Sequence, residues 1–197
     1  HDADLDRTTN GRGLAARLPW AELSKLDAGG WHSHQFAGEP PTTLAALARF
    51  VQANDCVVNL EIKPTPGAEH DTGRVVAAAA AELWAAAPVP PLLSSFQPLA
   101  LLGALEASPR LPRALLLDTL WPGALEVATA LGCIAVVTNH RIMDAPLRSD
   151  LHAKGLRALC YTVDEVEDAR RLFEIGIDGL ITDAVDRRMP NDDFASD

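Results

Sequence analysis

Residues 56–64 read CVVNLEIKP, and this short stretch does most to decide the fold. Its apolar, β-branched start and the proline that ends it predict a buried strand over Cys56–Ile62. Because side chains alternate along a strand, Glu61 and Lys63 share one face, and the isoleucine between them takes the other. The stretch therefore predicts two opposite charges at the carboxyl end of a strand whose other face is apolar.

The same unit repeats towards the C-terminus. Each β-rich run is followed by a turn, an amphipathic or alanine-rich helix and another β-rich run. The further runs are Pro91–Ser95, Ala114–Leu117, Ile134–Thr138, Arg157–Val163 and Gly179–Thr182. This alternation predicts a parallel sheet, and near-continuous apolar runs are typical of strands covered on both faces. Two architectures fit the pattern: a doubly wound open sheet and a (β/α)8 barrel.

Residues 3–49 depart from this repeat. They contain turn signals around Gly11 and Gly38 and a short helix predicted from Pro19 to Leu26. We interpret them as an excursion before the strand at 56–62, without a core of their own. Residues 1–189 are predicted to form one domain, which is the default for a chain of this length, and residues 190–197 form an acidic tail.

Composition limits the classes of function. The formal net charge of −10 opposes binding to the phosphate backbone of nucleic acids. No apolar run approaches the roughly 20 residues that a membrane helix needs. Cys56, Cys133 and Cys160 lie in apolar runs without metal-like spacing, so we expect buried thiols in a reducing compartment. The chain is therefore predicted to be cytoplasmic.

Three weaker signals concern capping and the barrel mouth. Asp164 with Glu167 resembles a capping box before a helix predicted over Val166–Ile175. Asp183 follows the last β-rich run and is predicted to cap the next helix. His140 follows a strand end and is a less favoured candidate for the mouth of a barrel.

The Glu61–Lys63 pair has two interpretations. Pro64 shows that the strand stops here, so the charges could simply be solvated. In a barrel, however, the carboxyl ends of the strands form the catalytic mouth. The position at a strand end leaves both interpretations open.

Short motifs follow one another along the chain. They are HDADLDRTTNG at 1–11, LDAG at 26–29, FAGE at 36–39, LEIKP at 60–64, SSF at 94–96, YTV at 161–163 and GIDGLITD at 176–183. In this order they resemble the bacterial glycerophosphodiester phosphodiesterase family, from His1 to Met189. The most specific part is HDxxLDRTT followed downstream by LEIKP.

The resemblance implies an α/β fold, a TIM (β/α)8 barrel with a segment inserted after its second strand, here residues 3–49. The family's His-Arg motif on the first strand and Glu-x-Asp motif on the second have no counterpart before the β-rich run at 56–62. The six β-rich runs match the last six strands of eight. We therefore expect an N-terminally truncated member that lacks the first two strands, and a protein of these residues alone that is inactive and poorly folded.

The resemblance also implies an activity: metal-dependent hydrolysis of glycerophosphodiesters, small-molecule substrates, to sn-glycerol 3-phosphate and an alcohol. It implies one divalent cation, Mg²⁺ or Ca²⁺, with Glu61 as a metal ligand. His1 would be a catalytic acid–base group, and Lys63 would steady the phosphate charge as a catalytic and substrate-binding residue. Ser95, at a strand end, and Tyr161, where the family usually has Trp, would line the substrate site.

These residue types suit that chemistry. The negative charge of a phosphodiester repels nucleophiles, so a bound cation or a lysine that neutralises it favours attack. A histidine near its ordinary pKa can take or give a proton near neutral pH.

Two alternatives stay open. The first is a non-catalytic or truncated barrel relative, which rests on the missing N-terminal motifs. The second is a related barrel phosphodiesterase that acts on phospholipids. It would need an exposed apolar rim or a basic patch, and the sequence shows neither clearly. The sequence carries no signal for the oligomeric state.

Overall fold

The computed structural model of the chain describes residues 2–186. Its centre is one sheet of six parallel strands. They are β1 Asn59–Glu61, β2 Leu92–Ser95, β3 Arg113–Leu117, β4 Ala135–Asn139, β5 Arg157–Tyr161 and β6 Gly179–Leu180. Each strand overlaps one of the β-rich runs, so all six predicted strands are confirmed. β1 is shorter than predicted, because its ladder with β2 begins only at the Asn59–Leu92 pair.

Helices precede the sheet and connect its strands. They are α1 Trp20–Leu23, α2 Leu44–Ala53, α3 Glu69–Leu83, α4 Pro98–Ala107, α5 Ala124–Ala130, α6 Ala145–Ala153 and α7 Val166–Ile175. Five of them, α3 to α7, each link one strand to the next. α4 and α6 carry a proline in their first turn, where the missing N–H costs nothing. α7 ends at Gly176, whose φ of 83° is the left-handed conformation that glycine adopts without strain.

The predicted capping box at α7 is wrong. The N-cap residue is Glu165, and its side chain makes no capping hydrogen bond. Asp164 instead accepts hydrogen bonds from the Thr182 hydroxyl and the Asp183 backbone N–H, both at 2.9 Å. Its carboxylate therefore ties the end of β5 to the segment after β6, a link between residues far apart in the chain.

Strand order decides between the two architectures. Within the sheet the strands follow sequence order from β1 to β6, and each pairs in parallel with the next. A doubly wound sheet reverses direction at a switch point, whereas a barrel winds in one direction. The six strands therefore form a half-barrel. Among residues 2–186, β1 and β6 each have a paired neighbour on one side only.

The two faces of the sheet pack differently. On one face, Leu60, Ile62 and Leu93 are buried against α2, α3 and α4, and the outward residues of the later strands pack with the later helices. The other face carries a smaller cluster made only of strand residues: Leu92, Ala114, Leu116, Ala135, Val137, Leu159 and Tyr161. The predicted alternation in β1 is confirmed, since Asn59 and Glu61 are exposed and Leu60 is buried.

Two glycines let α3 and α4 touch backbone to backbone. A Cβ at Gly73 would stand 1.8 Å from the carbonyl oxygen of Ala100. A Cβ at Gly103 would stand 2.1 Å from the carbonyl oxygen of His70. Any side chain at either position would collide with backbone atoms, so these positions set the spacing of the two helices.

The N-terminal segment, which precedes α2, contains only short elements. An antiparallel bridge joins Asp4 to Leu14, and 3₁₀ turns cover Ala15–Arg17 and His34–Phe36. Its predicted short helix is confirmed as α1, with narrower bounds. Residues 187–197, which include the predicted acidic tail at 190–197, lie outside the described residues. None of the helices in residues 2–186 is long and apolar enough to cross a membrane.

The prediction of three buried thiols is wrong for Cys56. Cys133 and Cys160 are buried, whereas Cys56 is exposed. Cys56 precedes the β1 ladder and lies just after α2, so the apolar run around it is only partly a strand.

Candidate active site

A cavity of about 630 Å³ lies where the strands of the half-barrel end. The side chains that line it sit in the last residues of strands or just after them; among them are Glu61, Lys63, Ser95, Phe96, Tyr161 and Asp183. The carboxyl edge of a parallel barrel sheet is the usual place for an active site. Of the sequence-based candidates, Glu61, Lys63, Ser95 and Tyr161 therefore line one cavity.

Glu61 and Lys63 reach the cavity from the same edge strand. Glu61 is the last residue of β1 and pairs in register with Ser94 of β2. Both charged side chains are exposed and line the cavity. The predicted placement of the pair at the mouth is confirmed, whereas the catalytic and metal-binding roles stay predictions.

An aromatic pair forms another part of the wall. The rings of Phe96 and Tyr161 meet edge to face, with centroids 5.7 Å apart and planes at 86°. Burial raises the pKa of Tyr161 to about 12, and the negative charges of Asp118 and Glu61 add to the effect. The phenol is therefore neutral at physiological pH, and the Glu61 carboxylate lies close enough to act on it electrostatically.

The two serines at the end of β2 differ. The Ser95 hydroxyl donates to the carbonyl oxygen of Ile62 at 2.6 Å and accepts from the backbone N–H of Gln97 at 3.1 Å. Ser95 thus joins the ends of β1 and β2, and its binding of substrate stays a prediction. Ser94 shares the face of Glu61, and its hydroxyl oxygen is buried without a hydrogen-bond partner within residues 2–186.

The start of the chain lies near Lys63. Arg7 makes a bidentate ion pair with Asp2. Its guanidinium carbon lies over the ring of Trp31, 5.7 Å from the ring centroid. The hydrogen bond from Arg7 lowers the pKa of Asp2, and the charge of Lys63 lowers it further. Asp2 therefore lies within electrostatic reach of Lys63. His1, the predicted acid–base residue, lies outside the described residues.

The described residues do not complete a metal site. Within residues 2–186, no group of three or more Asp, Glu, His or Cys side chains is arranged to hold a metal ion. Mg²⁺ and Ca²⁺ need six or more oxygen ligands, several of them often from carboxylates or water. Glu61 is the right type of ligand and is exposed to the cavity, so it can supply one of them.

The structure places Asp183 and His140 differently from the sequence-based expectations. Asp183 lines the cavity, and no helix begins within residues 184–186, the last that the structure describes. His140 is not among the cavity residues. Its Nδ1 lies 3.5 Å from an Asp168 oxygen, and its carbonyl accepts from Arg171, so it packs against α7. Asp183 could have been found from one rule, since polar residues directly after parallel strands meet at one edge of the sheet.

The comparison with protein families agrees with this geometry. A model described as the glycerophosphoryl diester phosphodiesterase family matches residues 1–187 of the 197. The chain belongs to this family. The predicted family and the predicted enzyme class, a hydrolase of phosphoric diesters, are confirmed, because curated relatives carry that name.

Individual phosphodiesterases of this family show how far the likeness extends. The glycerophosphodiester phosphodiesterase of Caldanaerobacter subterraneus subsp. tengcongensis is 29% identical over 187 residues, which cover 93% of this chain and 74% of that protein. A phosphodiesterase of Oleispira antarctica, solved with the product sn-glycerol-3-phosphate, matches with a TM-score of 0.84 and 30% identity, over 92% of this chain and 73% of that one.

A glycerophosphodiester phosphodiesterase from Agrobacterium tumefaciens matches with a TM-score of 0.73 at 23% identity, over 93% of this chain and 76% of that one, and supports the fold alone. The chain spans about three quarters of the length of these three relatives.

Proposed function

We propose that the protein hydrolyses glycerophosphodiesters to sn-glycerol 3-phosphate and an alcohol, with one divalent cation, Mg²⁺ or Ca²⁺. The carrying observation is that a chain of this family gathers Glu61, Lys63 and Tyr161 around one cavity at the carboxyl edge of its strands. The Oleispira antarctica phosphodiesterase, which is 30% identical, holds sn-glycerol-3-phosphate as its product and supports the same product here.

Each residue of the proposed site has a role that follows from its chemistry. The Lys63 ammonium group offers positive charge to a non-bridging phosphate oxygen, where negative charge grows during attack. Phe96 and Tyr161 offer an apolar wall to the carbon skeleton and keep water from one side of it. His1 transfers the proton of the nucleophile or of the leaving alkoxide.

The cation completes this site. When bound, it neutralises the phosphate charge and orients the phosphate for in-line attack. Glu61 would supply one oxygen ligand, and the other ligands would come from outside residues 2–186. The described residues form no cluster of three metal-binding side chains, which agrees with this division.

We also propose that the half-barrel is part of an eight-stranded barrel, with residues 3–49 as the segment inserted after the second strand. The one-way strand order supports this, as do the one-sided pairings of β1 and β6 within residues 2–186. The strands that would close the barrel lie outside the residues that the structure describes.

The direct test is release of glycerol 3-phosphate from glycerophosphocholine by the natural protein that contains these residues, measured with a coupled dehydrogenase. We expect activity that a chelator abolishes and that Mg²⁺ or Ca²⁺ restores. Glu61→Ala should abolish activity and weaken cation binding in calorimetry, whereas Lys154→Ala, at a surface ion pair with Glu126, should change neither. Turnover without a metal ion would contradict the proposed need for a cation. If no glycerol 3-phosphate were released, the proposed function would be wrong.

A further inference from the structure

Three polar residues stand side by side where β3, β4 and β5 end. Asn139 and Tyr161 are register partners, and so are Leu117 and Thr138. Asp118, the residue after Leu117, therefore lies next to Asn139. Because side chains two apart share a face, Asp118 follows Leu116 onto the face that lines the cavity.

Asn139 holds Asp118 in place. Its amide nitrogen donates to Oδ1 of Asp118 at 3.0 Å. Its amide oxygen accepts from the backbone N–H of Arg141 at 3.0 Å. With both ends of the amide engaged, Asn139 presents a fixed donor to the carboxylate of Asp118.

The Tyr161 hydroxyl lies between two acceptors. It is 3.4 Å from the carbonyl oxygen of Leu117 and 3.5 Å from Oδ1 of Asp118. Both distances exceed the usual 2.5–3.0 Å of an O–H···O hydrogen bond. The hydroxyl is thus shared, and a small rotation of the ring shortens either contact. Hydrogen bonds of this kind tighten when a ligand fills the site.

The surroundings allow the phenol one chemical role. Leu117 offers a carbonyl and Asp118 a carboxylate, so the hydroxyl acts as a donor. Because burial and the neighbouring carboxylates raise the pKa of Tyr161 to about 12, the phenol keeps its proton and cannot serve as an acid–base group near neutral pH. The role left for Tyr161 is to shape the cavity wall with its ring, which lies beside Phe96.

We propose that Asp118, braced by Asn139, is a positioning residue that fixes the Tyr161 ring as the wall against which the glycerol carbons of the substrate pack. Asp118 is not among the residues that line the cavity, so it acts through Tyr161. The proposal rests on the proposed function, because it assigns a part of the same site to the glycerol end of the substrate. It places the effect of Asp118 in substrate affinity and leaves the chemical step to other residues.

The first test is spectroscopic. Tyr161 is the only tyrosine among the 197 residues, and a Tyr161→Phe variant supplies the baseline for its tyrosinate absorbance in the natural protein. Asp118→Asn removes the charge but keeps an oxygen acceptor, so we expect the pKa of Tyr161 to fall from about 12 and to stay above its ordinary 10.0, because burial still raises it. Asp150→Asn, which removes the charge of an exposed carboxylate on α6, should leave the titration unchanged. If the pKa of Tyr161 were the same in Asp118→Asn as in the unaltered protein, Asp118 would not act on Tyr161.

The second test is kinetic. We expect Asp118→Ala to raise KM roughly five- to tenfold with kcat within about twofold, the size of one lost hydrogen bond of ordinary strength. Tyr161→Phe should show the same rise in KM and the same small change in kcat. The double variant should be no worse than Tyr161→Phe, since both changes remove the same contact. Additive losses, or a loss confined to kcat, would show that Asp118 acts by another route.

The two tests separate the possible failures. Without any release of glycerol 3-phosphate by the unaltered protein, the proposed function fails, and the glycerol role of Tyr161 fails with it. An active protein whose Tyr161 titration and KM do not respond to Asp118→Asn and Asp118→Ala keeps the function and loses only the positioning role.

Discussion

Ser94 and Ser95 are neighbours in the chain, but their hydroxyl groups have different surroundings. Both end a β-rich run, so sequence reasoning places both at the mouth. In the structure, Ser95 donates its hydroxyl hydrogen to Ile62 and closes the β1–β2 edge, whereas Ser94 pairs in register with Glu61 on the cavity face. The hydroxyl oxygen of Ser94 is buried without a hydrogen-bond partner within residues 2–186, whereas Ser95 lines the cavity.

At the residue scale, His1→Ala should lower kcat by about 10² to 10⁴, the usual contribution of an acid–base group. Cation affinity should stay unchanged in calorimetry, because the histidine moves protons and is not expected to bind the metal. The measurement is kcat for release of glycerol 3-phosphate by the natural protein. Normal turnover in His1→Ala would remove this residue from the mechanism.

The buried thiols predict a pH dependence of stability. Burial raises the pKa of Cys133 and Cys160 to about 11 each, from an ordinary 9.0. A neutral buried thiol favours the folded state fully below about pH 9, and this contribution is lost as pH rises from 9 towards 11. Denaturant titrations should therefore show the stability gap between the wild type and a Cys133→Ala/Cys160→Ala variant narrowing over that range.

Exposed Cys56 supplies the control for this comparison. The gap between the wild type and Cys56→Ala, which changes a thiol that is exposed in the folded chain, is measured across the same range. If the gap for the buried pair stayed constant, burial would not control the ionisation of these thiols.

At the scale of elements, the α3–α4 contact depends on two opposing terms at Gly73. Alanine gains about 1 kcal/mol of helix propensity over glycine. The added Cβ would stand 1.8 Å from the Ala100 carbonyl oxygen, so the two helices must move apart. Overpacking of this kind costs about 1–3 kcal/mol or more, and here the obstacle is backbone. We expect Gly73→Ala to lower the free energy of unfolding by about 2 kcal/mol.

Denaturant titration of Gly73→Ala, with Ala78→Gly as its control, tests this balance. Ala78 is exposed on the same helix, so its replacement changes helix propensity alone and should cost about 1 kcal/mol. A Gly73→Ala protein as stable as the wild type would mean that the helices separate without loss.

A second link between elements is the buried Arg113 at the start of β3. Only 4% of its surface is exposed, and its guanidinium donates to backbone carbonyl oxygens on both sides of the strand. The acceptors are Leu111 at 2.6 Å, Leu131 at 3.0 Å, Pro109 and Gly132 at 3.3 Å, and Ser108 at 3.5 Å. Arg113 thus joins the loop after α4 to the end of α5.

Arg113→Met should destabilise the fold strongly, because it leaves several carbonyl oxygens without their donor. We expect a loss of about 3 kcal/mol or more in the free energy of unfolding, measured with denaturant. The exposed neighbour changed in the same way, Arg110→Met, should shift stability by no more than about 0.5 kcal/mol. Equal effects of the two changes would show that these carbonyls find other partners.

At the scale of the whole molecule, we expect a protein of residues 1–197 alone to be inactive and to unfold without a sharp transition. Two sheet edges have one-sided pairing within residues 2–186, and the mouth carries no complete metal site there. The comparison is kcat/KM and the denaturant transition of this chain against the natural protein that contains it. High turnover by residues 1–197 alone would contradict the need for further strands and further ligands.

Local patterns account for the parts of the fold that sequence reasoning predicted. The six strands and the shared face of Glu61 and Lys63 follow from side-chain alternation and turn residues, which depend on near neighbours. Cys56 escaped this reasoning, because apolar composition does not reveal where a sheet ladder begins. Asp164 escaped it too, since its partners Thr182 and Asp183 are almost twenty residues away in the chain.

The sequence by itself determined the family, the strands and the pair of charges at the end of β1. Only the tertiary structure decided that the sheet winds one way as a half-barrel, because strand order is a choice of long-range partners that local patterns do not encode. The same holds for Asp118, Asn139 and Tyr161. They lie 22 residues or so apart in sequence, and only the parallel register of β3, β4 and β5 brings them to one edge of the cavity.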